Sequence, residues 1–298
     1  MIPALVLAAG LLVSSAAGVD EPTASPAYGE AKARLVAGDP AGKPALEALA
    51  AAGDPDAQTL VASASFVGGG GFSIDKARSC ALWEQASKAR ALAAHLHAEC
   101  VERGYDGRPR DPTAARGLYK AVADRGFSKS KCALGNLLIL GQGGPADPER
   151  GLALCREAAQ AGDADAQTDV GDYYLRGKIV PRDVGEARTW YEKAVAQGQK
   201  NAHMTLGQIY WNGDGVPKDN ARAAALWHVA YAKGRLDADQ FLADEAFVRA
   251  NAVKGQINVA AMDEAIDWYQ KALARDPSLS EKLRPRLDLL LKIKAARS

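Results

Sequence analysis

The sequence predicts an all-α fold, an α/α solenoid of stacked helix-turn-helix units, and three observations carry that prediction. Aspartate recurs at Asp75, Asp111, Asp147, Asp183 and Asp219, in four successive gaps of 36 residues. The last four each follow a proline by two positions: Pro109, Pro145, Pro181 and Pro217. Other ladders keep the same beat: Gly126, Gly162, Gly198 and Gly234; Gly141, Gly177 and Gly213; and Ala94, Ala166, Ala202 and Ala238, with Ser130 filling the gap. A fixed period of roughly 20–50 residues marks one supersecondary unit that buries its apolar face on copies of itself. Such an array points to binding before chemistry.

A solenoid grows by addition, so the 298 residues read as one continuous domain. Lys and Arg total 37 against 36 Asp and Glu, a formal charge of +1 with no basic tract. That balance gives no electrostatic reason to expect nucleic acid or an anionic membrane as partner. Hydrophobic residues make up 48% and aromatics only 6%, because alanine supplies much of the apolar count. Small side chains let helices approach closely.

The chain opens with the apolar MIPALVLAAGLLVSSAAG and then turns polar and proline-rich in VDEPTASPA. This pattern predicts a secretory signal over residues 1–18, cleaved after Ala17 or Gly18, with residues 19–25 as a linker; the departure is that no Lys or Arg precedes the apolar run. The run from Ile2 to Val13 is shorter than the about 20 apolar residues a membrane span needs. The expectation is therefore a periplasmic or secreted chain with no integral membrane segment after signal removal. Cys80, Cys100, Cys132 and Cys155, an even number in an exported chain, suggest disulfides. The repeat register favours Cys80 with Cys100 and Cys132 with Cys155, each pair at similar height on consecutive antiparallel helices. Four buried free thiols are the alternative.

One repeat shows how the unit is built. From Ala166 to Gly198, apolar Ala166, Val170, Tyr173 and Tyr174, then Ala187, Trp190, Tyr191 and Ala194, fall at spacings of three and four, the pattern of two amphipathic helices. Between them Gly177 suits the positive φ that ends a helix, Pro181 punctuates the connection, and Asp183 is placed to cap the second helix. The aspartates are thus a capping ladder; a calcium site would need them to converge on one ion, and whole repeats separate them. Gly171 and Gly207 fall mid-helix, where glycine costs about 1 kcal/mol relative to alanine, so close contact with the partner helix is the expected reason.

Ala202, Leu206, Gly207, Tyr210, Gly213, Gly215, Val216, Asp219 and Ala223 form a pattern that resembles the Sel-one-like repeat, a 36-residue relative of the tetratricopeptide repeat. The resemblance divides the chain into a shortened N-terminal helix pair at 26–56, five repeats over 57–237, a degenerate repeat with an insertion near Val253–Asn258 over 238–277, and a C-terminal capping helix at 278–298 with a polar outer face. The first two repeats carry Ala62 and Glu99 in the mid-helix glycine slot. What the resemblance implies is a right-handed α/α superhelix acting as an adaptor or scaffold, frequently in bacterial envelopes.

The resemblance also raises penicillin-recognising activity, for which a serine nucleophile needs a lysine one helical turn away. Ser73-Ile74-Asp75-Lys76 and Ser128-Lys129-Ser130-Lys131 both fit S-x-x-K, but no S-D-N or K-T-G accompanies them. His95, His97, Glu99 and Cys100 include every zinc-ligand type, yet only His95 and Glu99 would share a helix face, so a structural histidine is the expectation and no metal. Gly68–Gly71, with no lysine and no strand beside it, reads as a flexible loop rather than a phosphate cradle.

Tetratricopeptide-like arrays hold partners on an inner face lined by first helices. That register maps Thr168, Asp172, Tyr173, Arg176, Met204, Gln208, Trp211 and Asn212 to the groove. Trp211 is expected to point outward and anchor an interface; its other reading is a cover for the neighbouring repeat. The sequence thus predicts a noncatalytic adaptor without cofactor that binds a protein or peptide on its concave face. The alternatives are an exported enzyme of the β-lactam-hydrolase type, or a glycan or peptidoglycan binder stacking on Tyr173 and Trp211.

Overall fold

Each aspartate of the ladder makes two bonds. In a computed structural model that describes residues 21–253 and 256–297, the carboxylates of Asp75, Asp111, Asp147, Asp183 and Asp219 accept from the backbone N–H three residues on, at 2.9–3.1 Å. Their own N–H groups donate at 2.9–3.0 Å to the carbonyls of Ser65, Val101, Leu138, Tyr174 and Tyr210. Those carbonyls belong to the last turn of the preceding helix, which has no partner for them within the helix. One residue therefore starts the second helix of a pair and ties it back to the end of the first.

Among the described residues the chain forms fifteen α-helices and no strand. A short pair comes first, α1 (Pro26–Val36) and α2 (Gly42–Ala51). The repeated pairs follow: α3 (Pro55–Val67) with α4 (Lys76–Ala86), α5 (Ala91–Arg103) with α6 (Pro112–Asp124), α7 (Ser128–Leu140) with α8 (Pro148–Gln160), α9 (Ala164–Arg176) with α10 (Val184–Ala196), and α11 (Lys200–Asn212) with α12 (Asn220–Ala232). Last are α13 (Ala238–Ala250), α14 (Val259–Arg275), a 3-10 turn at Pro277–Leu279 and α15 (Ser280–Ala295). The outer surface of α15 is not wholly polar, since Leu289 is 49% exposed. The signal expected over residues 1–18 lies outside the described residues, as does part of the insertion near Val253–Asn258.

A stack of repeats has no single central core, and two compact units are distinguished, divided between Ala166 and Gln167. Within each, helices adjacent in sequence pack on one another. The alanine ladder is buried throughout, with Ser130 in its gap at 0% exposure.

The mid-helix glycines explain how a pair closes. A Cβ on Gly171 would stand 2.8 Å from the ring of Tyr191, and one on Gly207 would collide with the indole of Trp227. Both rings are fully buried and have no room to withdraw. The same slot in the third repeat is Gly135, where a Cβ would meet Cys155 Sγ at 2.9 Å and the Gly151 carbonyl at 2.5 Å. There a cysteine replaces the ring, and α7 and α8 touch backbone to backbone. Cys155 is bonded to Cys132, and Cys80 to Cys100, the two pairings the register favours. The first bond closes a helix pair on itself, and the second joins α4 to the first helix of the next pair.

Two opposing terms decide the effect of a Cβ at these positions. Alanine improves on glycine in a helix by about 1 kcal/mol, whereas overpacking a buried contact costs about 1–3 kcal/mol. Gly117, in α6, has nothing within 4 Å of a Cβ. Chemical denaturation should therefore show Gly117→Ala more stable than the parent by up to about 1 kcal/mol and Gly207→Ala less stable by up to about 2 kcal/mol.

Candidate functional site

The outward residues of α11 lie at Asn201, Thr205, Gln208 and Asn212, with Trp211 at the edge of this stripe. Those spacings of four, three and four follow the helix period of 3.6. On α9 the equivalent stripe runs through Asp169, Asp172 and Arg176. Constant steps of four drift off such a face, and two residues expected in the groove are corrected on that ground. Thr168 is 7% exposed and Met204 is 3% exposed. Met204 sits in the core, where its carbonyl accepts from Trp227 Nε1 at 3.2 Å. The outward positions that steps of four pass over, Asp169 and Thr205, were recoverable from the alternation of three and four.

The remaining residues expected in the groove differ in what they already hold. Asp172 accepts from the buried Tyr191 hydroxyl at 2.5 Å and from Arg176 at 2.9 Å, so both charged groups are engaged within the fold. Tyr173 is half-buried, and burial together with Asp169 and Asp172 pushes its phenol well above the usual tyrosine range. Trp211 is also half-buried. Its ring lies 5.6 Å from that of Trp227, and the Lys218 ammonium stands 5.0 Å from its centroid. The indole thus covers the buried tryptophan of its own repeat. Gln208 and Asn212 are different: among the described residues their side-chain amides have no hydrogen-bond partner, and they stand one turn apart on the open side of α11. Each amide offers both a donor and an acceptor.

The motifs that suggest chemistry do not assemble. Cys100 is in a disulfide, and no group of three potential metal ligands occurs among the described residues. His95 lies between the rings of Tyr119 and Phe127, 5.4 and 5.6 Å from their centroids, with Nδ1 3.1 Å from Ser130 Oγ. Burial lowers its pKa to about 4, helped by the Lys129 charge. Burial raises the Glu99 carboxyl. Of the S-x-x-K lysines, Lys76 lies over the rings of Phe66 and Tyr105, and Lys131 pairs with Glu157. In the Gly68–Gly71 loop, Gly68, Gly70 and Gly71 have positive φ, and the Gly71 carbonyl accepts from Lys43 at 2.8 Å.

Capped helix pairs repeating every 36 residues, closed by a side chain on a bare glycine, define a helical-repeat protein. The Sel1 repeat profile matches residues 55–90, 91–127, 128–163, 164–199, 201–234 and 255–277, and the chain belongs to that family. No curated protein matches it. Among solved structures, a Sel1 repeat protein from Oxalobacter formigenes superposes with a TM-score of 0.65 at 21% identity, covering 84% of this chain and 100% of that one. A protective antigen of uropathogenic Escherichia coli strains, displaying an SLR fold, gives 0.54 at 20% identity; the match covers 79% of this chain and 49% of the antigen. An immunity protein from Pseudomonas aeruginosa gives 0.52 at 18% identity, covering 74% and 85%. At these identities the likeness establishes the fold.

His95 makes stability depend on pH. An unfolded histidine titrates near 6.5, so as pH falls from there toward 4 the unfolded chain takes up a proton that folded His95 refuses. The fold weakens across that window, and unfolding at pH 7 and pH 5 should differ by about 1–2 kcal/mol from this group. The same comparison on His95→Phe should lose that increment, the ring remaining between Tyr119 and Phe127.

Proposed function

We propose that this chain is a noncatalytic adaptor that holds a protein or peptide partner along the outward stripe of its first helices, in an exported, oxidising setting. The observation that carries the reading is the pair of unengaged amides on α11, Gln208 and Asn212. A peptide backbone presents alternating N–H and C=O groups, and a glutamine and an asparagine one turn apart match both. Thr205, on the same stripe, adds a hydroxyl, while Trp211 supplies an apolar edge beside them. Two disulfides fit an oxidising compartment, and no helix among the described residues is long and apolar enough to cross a membrane. In neither S-x-x-K sequence do the serine and lysine side chains hydrogen-bond to one another among the described residues, and Lys131 pairs with Glu157 instead.

Photocrosslinking tests the face directly. A photoreactive residue at Gln208 or Asn212, in the full chain expressed in its own host, should trap a discrete protein adduct. The same residue at the exposed Ala225 of α12 should not. A Gln208→Arg, Asn212→Arg double variant should abolish capture while unfolding within about 0.5 kcal/mol of the parent, as surface substitutions do. Equal adducts from all three positions, or capture unchanged in the double variant, would refute the assignment.

A further inference from the structure

A cleft of about 770 Å³ opens in the first unit, bounded by α4, α5, α6 and the connection 104–111. Its floor is apolar, with Val101 and Leu118 on facing helices and Gly117 between, where no atom lies within 4 Å of a Cβ position. The volume is in the range that takes small ligands. The polar groups on its rim are divided by charge. Glu84, in the last turn of α4, is exposed and makes no ion pair or hydrogen bond through its carboxylate among the described residues. Arg108 and Arg110 come from the connection after α5; Nε of Arg108 is held by Asp106 and Nε of Arg110 by the Glu102 carbonyl, and their terminal nitrogens remain unengaged.

His97 lies beside Glu84 on this wall. Its buried Nδ1 has no hydrogen-bond partner, and burial holds its pKa below the usual histidine value, so the ring is neutral at pH 7. The other acids are occupied: Asp106 by Arg108 and Asp111 by the N–H of Ala114. From His97 to Gly104, where the connection carrying Arg108 and Arg110 begins, the helix rises about 10 Å. Three extended residues span about that distance.

We propose that this cleft binds a short peptide with both ends free, its ammonium at Glu84, its terminal carboxylate at Arg108 and Arg110, and one apolar side chain on the floor of Val101 and Leu118. A guanidinium meets a carboxylate through two parallel hydrogen bonds, and two of them at one end select a terminal carboxylate over an amide. The His97 ring, which lines the cleft, packs against the peptide's first residue. The site uses none of the residues of the outward stripe, so it stands or falls separately from the adaptor reading.

Calorimetric titration of the full chain with Ala-Leu-Ala, its N-acetyl form and its C-terminal amide tests the assignment. The free tripeptide should bind, and blocking either end should weaken it about tenfold or more, the worth of one charged hydrogen bond. Glu84→Gln should bind the acetylated and free peptides alike. An Arg108→Gln, Arg110→Gln variant should bind the amide and the free acid alike. Gly117→Leu, which fills the floor at an exposed helical site, should abolish binding with its thermal transition retained. No binding of the free tripeptide at millimolar concentration would overturn the proposal, as would equal affinity for the blocked peptides or an unaffected Gly117→Leu variant.

Discussion

The structure depends on one contact, a bulky side chain of each second helix pressed against its first helix. In α4, α6, α8, α10 and α12 the position is held by Trp83, Tyr119, Cys155, Tyr191 and Trp227, spaced 36 residues apart and 0–3% exposed. Burying an aromatic ring of this size is worth roughly 1.5–3 kcal/mol, more than a cap or a surface ion pair supplies. In the fourth and fifth repeats the first helix accommodates the ring by giving up a side chain, and the glycine's helix-propensity cost is outweighed by the contact it permits. The third repeat reaches closure differently. Cys155 fills less space, so α7 and α8 draw together until Gly135 and Gly151 oppose one another, and a covalent bond to Cys132 replaces the packing of a ring.

These plugs also account for where the charges of the first helices are spent. A buried tyrosine needs a partner for its hydroxyl, and Tyr119, Tyr191 and Tyr269 find one in Glu102, Asp172 and Asp244, at 3.0, 2.5 and 2.8 Å. Each acceptor sits on the helix before its tyrosine. Acidic groups that look available in sequence are therefore part of the interior, while Trp227 at the same position turns to a main-chain acceptor, the Met204 carbonyl, and the buried Trp83 Nε1 has no partner among the described residues. With no tyrosine to serve, α11 keeps uncharged amides on its open side.

The legible part of the fold was the part written in backbone conformation. Asp at the cap and Gly at the end of each helix meet demands few residues satisfy, so their spacing exposed the helix pairs, their connections and the close contacts at Gly171 and Gly207. The face was harder to read. Steps of four from Gln208 and Asp172 lead to Met204 and Thr168, which turn inward, because each step overshoots a 3.6-residue turn by about 40°. The surroundings of Trp211 were hidden for another reason. Its neighbour Tyr210 answers to the repeat pattern, but nothing in one dimension reveals that Trp227 lies beneath Trp211.

Near-neutrality bears on how such a surface works. With 37 basic and 36 acidic side chains, and many of them paired across adjacent turns or helices, as in Arg182 with Asp214 or Arg249 with Glu245 and Glu264, no large field extends from the protein to steer a partner. Exposed pairs of this kind add little stability singly; what they do is cancel charge locally. A partner on the proposed face would be selected by short-range hydrogen bonding and fit, where an unmatched buried amide costs more than a matched one gains. On the face we propose, discrimination comes from rejecting what leaves Gln208 and Asn212 unpaired, and it would persist at ionic strengths that erase a charge-driven association.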